Sequence, residues 1–296
     1  MSGLSHWRSR LCVRLILAAF LLTAGLAATV AAPNDQPGFT NYAAAAFAKA
    51  LAEFNVTVTG PLTLSASPSG GGRFTISLDR MWEYCSRNAS DCDRMLSDYV
   101  AKSAAALRDQ LRPLERSMIR VALRPAPYVE NARKTFVRNA DSELITELFA
   151  GDLWLICMAD LPSASRVLNV ADLRKLGLSK EEAIALGKQN LAASLRPLKS
   201  VVQPLPSNGI GTITGDYYES SRLSLHDDWS VLAAQMKGGL IVAVPSNDMV
   251  LYGDAAQPNA IDAMGALARD VSRRSQRPIS ATVFRWSKGG WEPVSP

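Results

Sequence analysis

Leu240-Ile-Val-Ala-Val-Pro-Ser-Asn-Asp-Met-Val-Leu-Tyr252 reads as a β-hairpin. Two apolar runs, Leu240 to Val244 and Met249 to Tyr252, flank Pro245-Ser-Asn-Asp248, residues that favour a turn for distinct conformational reasons. The pattern continues outward. After Pro258 a helix is expected to Arg274, then a second hairpin from Ile279 to Val294 around Lys288-Gly-Gly290, with Trp286 and Trp291 as a cross-strand pair. Before the first hairpin come a short strand, Ile210 to Thr214, and a helix from Asp227 or Asp228 to about Met236.

The first half shows the same alternation. A helix runs from Thr40 or Asn41 to about Phe54, followed by two or three strands punctuated by Pro61 and Ser67-Pro-Ser-Gly-Gly-Gly72. Helices follow on either side of Cys85 and Cys92. Met118 to Arg124 is a strand, residues 125–139 a loop or short helix, and Ser142 to Phe149 a helix. Leu153 to Met158 is a buried strand with a return at Ser165 to Leu168. Asn169 with Asp172, closed by Gly177, makes a short helix, and Ser179 with Glu182 is a capping box opening another to about Leu195. Hairpins interspersed with helices indicate an α+β fold, with a mixed, mainly antiparallel sheet on which the helices pack. Residues 33–296 are expected as one domain. Pro197, Pro204, Pro206 and Gly209 make 196–209 a candidate linker between lobes 33–195 and 210–296.

The first 32 residues are of another kind. Arg8, Arg10 and Arg14 precede an apolar run from Leu15 to Ala32 that ends in small residues, and no acid appears before Asp35. This is the layout of a Sec-type signal peptide, with cleavage after Ala27 or Ala31. It predicts a periplasmic or secreted protein; retention of the leader as a single-pass anchor is the alternative. Three of the 32 basic residues lie in the leader, so 29 face 27 acids in the mature part. A net charge near +2 gives no argument for nucleic acid. An apolar content of 48% with 20% charged residues describes an ordinary globular chain.

Three cysteines remain after the leader. Cys85 and Cys92 on one continuous helix would be ~10.5 Å apart along its axis. A disulfide between them requires the helix to break, and Asn88, Ser90 and Asp91 supply the turn chemistry. Two helices stapled at a corner are therefore expected, as suits an oxidising compartment. Cys157, in an apolar run, reads as a buried inert thiol.

The inventory limits the chemistry. His226 is the single histidine beyond the leader, and no Cys or His lies at metal spacing from Cys157, so neither metal nor cofactor is expected. Gly-x-Ser-x-Gly, Ser-x-x-Lys, P-loop and Cys-x-x-Cys motifs are absent. The densest polar segment is Asp216 to Asp228. A hydrolase would draw on Asp216, Glu219, His226 and Asp228, with His226 as base; the competing reading is a polar loop whose Asp227 or Asp228 caps a helix. Arg120 and Arg124 share one face of the strand Met118 to Arg124, in line with Arg116 if the strand extends that far. They are a candidate site for a carboxylate, phosphate or anionic head group, against the plainer reading of a solvated face paired with helix acids.

The ordered set Asp152-Leu-Trp-Leu-Ile, Asn169 to Glu182, Gln189-Asn-Leu191, Gly215-Asp-Tyr217, Ser220-Ser-Arg-Leu223, Ile241-Val-Ala-Val-Pro245 and Asp248-Met-Val-Leu251 resembles the YtpQ-like family of uncharacterised bacterial proteins. The resemblance covers about residues 117–296. It implies one compact α+β unit and no reaction, so no catalytic residue is carried over. Better-known members look cytosolic, and this chain departs from them in its leader. Together these observations favour a non-catalytic envelope protein that binds a ligand or protein partner, with the hydrolase as alternative. Membrane association is expected only if the leader is retained.

Overall fold

The computed structural model describes residues 32–70, 72–207 and 209–294, so the leader lies outside the described residues. These form two compact units, residues 32–48 with 54–97, and residues 49–53 with 98–294.

In unit 1, α1 (Gln36–Ala50) starts where Asp35 accepts the Gly38 N–H at 2.8 Å. That is earlier than the expected Thr40. The Thr40 hydroxyl instead donates to the Gln36 carbonyl and accepts the Leu62 N–H. Phe54, expected to end the helix, opens β1 (Phe54–Gly60), which pairs with β2 (Thr63–Pro68) and then β3 (Phe74–Ser77) in an antiparallel sheet. α2 (Asp79–Arg87) and the first residues of α3 (Cys92–Gln110) follow, α3 belonging to unit 2 from Asp98 on. Asn88 leaves the helical region between them, at φ −136° and ψ 58°. The break brings Cys85 and Cys92 to a Cα separation of 4.7 Å, and the disulfide forms. Asp91 reinforces the corner by accepting from the Tyr84 hydroxyl at 2.7 Å and from both Nε and Nη2 of Arg94.

Unit 2 begins its first sheet with β4 (Ile119–Pro125), followed by α4 (Ala126–Phe136), β5 (Thr146–Ala150), β6 (Leu153–Asp160) and β7 (Ser165–Val167). β6 is central, with β4 on one side and β5 and β7 on the other. The helix expected from Ser142 to Phe149 is therefore β5. Its apolar residues fit helical spacing, but Thr146 to Ala150 supplies the edge partner that β6 needs. α5 (Val170–Leu176) and α6 (Lys180–Ser194) start where expected, α6 on the expected capping box and α5 on a second one at Asn169 and Asp172, and Gly177 ends α5 in the left-handed region. At Gly187, α6 lies so close to β4 that a Cβ would sit 2.8 Å from Val121 Cγ1 and 3.1 Å from the Arg120 carbonyl carbon.

The chain continues through α7 (Leu198–Val201), β8 (Ile210–Thr214), α8 (Ser230–Ala233), β9 (Leu240–Ser246), β10 (Met249–Asp254), α9 (Ala260–Arg274), β11 (Val283–Ser287) and β12 (Gly290–Pro293). The second sheet has the order β12-β11-β9-β10-β8, and Trp286 pairs with Trp291 as expected. The fold is α+β. Every strand pairing described is antiparallel, in three sheets where the sequence suggested one mixed sheet.

The unbroken apolar run at 240–244 now has its reason. Leu240, Val242, Val244, Val250, Tyr252 and Phe284 face a core that extends from Ile119 to Trp291. Ile241, Ala243, Leu251 and Val283 face Met264 and Ala268 of α9. A sheet covered on both faces has no polar face to alternate with. The Pro-rich stretch 196–209 lies within unit 2: Leu198 and Val201 belong to the same core as Ile119 and Trp291. Among the described residues, no helix is long and apolar enough to cross a membrane.

The disulfide closes a loop of eight residues, for which chain entropy gives ~2.5 kcal/mol. Cys85→Ser with Cys92→Ser should lower the stability of unit 1 by about that amount in denaturant titrations. Reductant should then shift the wild type and leave the variant unchanged.

Candidate functional site

The polar segment singled out in the sequence is mostly interior. Glu219 to Ser224 forms a buried 3₁₀ turn. Arg222 donates through Nε to Glu219 at 2.9 Å and through Nη1 to the Arg196 carbonyl at 2.8 Å; both members of the ion pair are 1% exposed. The Arg222 and Leu223 carbonyls accept the indole N–H groups of Trp229 and Trp291. The Ser221 hydroxyl accepts the Leu123 N–H at the edge of β4. Glu219 is thus a structural anion.

His226 stacks on Trp286 at 5.3 Å and meets the edge of Trp291 at 5.9 Å. Its Nε2 lies 2.9 Å from the Ser287 carbonyl, which only accepts, so Nε2 is the donor. Nδ1 is left facing Asp227 at 3.6 Å. In place of the single helix expected from Asp227 or Asp228 to about Met236, a 3₁₀ turn (His226–Trp229) is followed by the short α8. Asp216 and Asp228 line two different hollows. Asp216, Glu219, His226 and Asp228 therefore occupy four separate surroundings, and no nucleophile, base and orienting carboxylate meet among them.

The arginine row also divides. Arg116 lies in a 3₁₀ turn before β4 and donates to the Leu176 and Gly177 carbonyls, closing the end of α5. Arg120 is half-buried, with Nη1 on the Ser117 and Ile119 carbonyls. Arg124 is 5% exposed. Its Nη1 donates to the Leu123 carbonyl, and its Nη2 lies 3.8 Å from Met158 Sδ and 3.4 Å from the Tyr217 hydroxyl. The guanidinium lies over the Tyr128 and Tyr217 rings, and no carboxylate among the described residues reaches it. The solvated face paired with helix acids is not what forms. Cys157 is buried as expected, and burial followed by the charge of Glu147 pushes its thiol up to about 12. Among the described residues, no group of three or more His, Cys, Asp or Glu side chains is arranged to hold a metal ion.

An apolar concave feature of unit 2 was not anticipated from the sequence. A cleft of about 900 Å³ opens between residues 197–205 and the stretch from Asp227 to Met236. Leu198, Val202, Leu205, Val231, Leu232 and Met236 make its wall apolar. The signal was available in the supposed linker, where Leu198, Val201, Val202 and Leu205 alternate with prolines. Tyr252 pins that wall: its hydroxyl donates to the Gln203 carbonyl at 2.7 Å and accepts the Gln203 N–H at 2.9 Å. The ring has room because residue 211 is glycine; a Cβ there would be 2.2 Å from it. At one end Asp254 accepts the N–H groups of Lys237, Gly238 and Ala256. Burial opposes its ionisation, but these donors outweigh burial and hold its carboxyl below the ordinary range. Among the described residues, no Ser, Thr, Cys, His or Tyr lines the cleft.

Comparison with known proteins identifies relatives. A UPF0354 protein of Listeria monocytogenes is 25% identical over 157 residues, 53% of this chain and 58% of that protein. UPF0354 protein YtpQ of Bacillus subtilis is 21% identical over 205 residues, 66% of this chain and 71% of that protein. The chain is similar to the YtpQ-like UPF0354 proteins. A Staphylococcus haemolyticus UPF0354 protein matches at 25% over 138 residues, 46% of this chain and 47% of that protein. The chain thus spans about half the length of several of the curated relatives it matches. No family model matches, and no solved structure gives a significant match.

Glu219→Ala leaves the buried Arg222 charge without its counter-ion, and should destabilise unit 2 by about 3–5 kcal/mol. Glu219→Met with Arg222→Met should recover much of that loss. Paired urea titrations of the single and double variants check the difference.

Proposed function

We propose that this is an exported bacterial envelope protein that binds an apolar, cation-bearing ligand or partner segment in the 900 Å³ cleft and performs no chemistry there. The composition of the cleft carries the reading. An apolar wall favours burial of an apolar ligand, with affinity growing with the area covered. Its residues include neither a hydroxyl nor a thiol nucleophile, nor an imidazole base. Asp227 and Asp228 line it with Lys199 as the single cation among the described residues, so the rim favours a positive group.

Two alkyl probes of equal chain length separate the contributions. An alkylammonium should bind saturably and more tightly than the alkyl sulfate by fluorescence displacement. Asp228→Lys should reduce the ammonium's advantage by about two- to fivefold, the range of an exposed ion pair. Absence of saturable binding by either probe would reject the cleft as a ligand site.

Export rests on the charge and apolar pattern of residues 1–32, and the Cys85–Cys92 disulfide is consistent with an oxidising compartment. Protein recovered from the envelope of a producing bacterium should be lighter than the full chain by about 3 kDa, the mass of a cleaved leader. Full mass with extraction by detergent alone would support the anchor instead.

A further inference from the structure

We propose that a second hollow, of about 360 Å³, binds a small zwitterion carrying both a free ammonium and a free carboxylate. It is formed where the Gly215–Tyr217 segment, the Asn247–Asp248 turn and the Ser275–Arg277 segment meet. It is separate from the apolar cleft and stands independently of the reading given for that cleft.

Asn247 builds the hollow. The residue is 4% exposed, and its polar groups tie the three walls together. Its N–H donates to the Arg277 carbonyl at 3.2 Å, its carbonyl accepts the Ser220 N–H at 3.0 Å, and its side-chain Nδ2 donates to the Tyr217 carbonyl at 3.2 Å. The walls are therefore preorganised, and a ligand need not pay for ordering them.

The charges lining the hollow are of both signs and do not neutralise one another. Asp216 accepts the Tyr218 N–H through Oδ1, and Asp248 accepts the Ser246 hydroxyl through Oδ1. Neither makes an ion pair among the described residues. The Arg277 guanidinium lies over the Tyr217 ring at 4.9 Å, also without a carboxylate partner among the described residues. Arg124 approaches the same ring at 5.8 Å, buried and, among the described residues, equally without an acid. The Tyr217 ring thus adjoins two guanidiniums and forms part of a hollow that also contains two carboxylates.

This charge set selects its ligand. A simple anion would gain from Arg277 but meet Asp216 and Asp248. A simple cation would gain from the carboxylates but meet Arg277. A neutral molecule would desolvate all three charges without return. A zwitterion places a carboxylate on the guanidinium and an ammonium on the aspartates, both as charge-assisted hydrogen bonds. The volume suits a free amino acid or a short peptide with both termini free.

Calorimetric titration of the mature protein with alanine, alanyl-alanine, N-acetyl-alanine and alanine amide tests this. One of the two zwitterions should bind saturably, and whichever binds more tightly assigns the source as free amino acid or short peptide. Removing either charge, in the acetyl or amide analogue, should weaken binding by about tenfold or more. Arg277→Gln should abolish binding. Asp216→Asn keeps an acceptor for the Tyr218 N–H, so the turn should survive while the zwitterion loses affinity and the acetyl analogue does not. Asp228→Lys, at the other cleft, should leave zwitterion binding unchanged. Thermal melts of Arg277→Gln and Asp216→Asn should match the wild type, so that loss of binding is not loss of fold. Equal binding of alanine and its acetyl analogue, full affinity in Arg277→Gln, or no heat from any compound at millimolar concentration would overturn the proposal.

Discussion

The ion pair between Arg222 and Glu219, 2.9 Å apart and almost wholly removed from water, is the contact on which the rest of unit 2 is arranged. Two charges buried this deeply are costly unless their hydrogen-bonding groups find partners. The short turn that carries them connects to much of unit 2. Arg222 reaches the Arg196 carbonyl at the start of the cleft wall and receives the Trp229 indole from the opposite wall. Ser221 holds the edge of β4, and the Ser220 N–H reaches Asn247. The cleft and the smaller hollow are therefore anchored to one buried turn.

The two concavities differ because their anchors differ. Around the cleft, the chain between α6 and β8 is held by Tyr252 through backbone groups, which leaves its leucines and valines to form an apolar wall. Around the hollow, Asn247 uses its polar atoms on backbone carbonyls and amides, which leaves the neighbouring Asp, Tyr and Arg side chains to face the opening. In each case a buried polar side chain satisfies the main chain and frees the exposed ones for recognition.

Much of the architecture was legible in the sequence. The corner at Asn88 followed from the spacing of Cys85 and Cys92, and the starts of α5 and α6 and the Gly177 terminus lay in residue types a few positions apart. The errors share a cause. Leu144, Ile145, Leu148 and Phe149 have helical spacing, yet Thr146 to Ala150 forms β5 because β6 offers an unpaired edge to it. The helix expected from Asp227 or Asp228 to about Met236 gives way to a 3₁₀ turn where Trp229 is drawn wholly into the core. Arg116 could join the row of Arg120 and Arg124 only if the strand reached it, but the strand starts at Ile119 and Arg116 closes α5 instead.

By itself, then, the sequence determined what depends on neighbours within a few residues: turns, caps, the stapled corner, the apolar hairpins and hence the α+β class. The tertiary structure alone decided which polar residues are interior and which line a hollow. Glu219 and Asp216 are three positions apart in the same polar segment, yet one neutralises a buried arginine while the other faces an open pocket. That division depends on which distant groups arrive beside each carboxylate, because burial and charge pairing act through space and leave no periodicity in the chain.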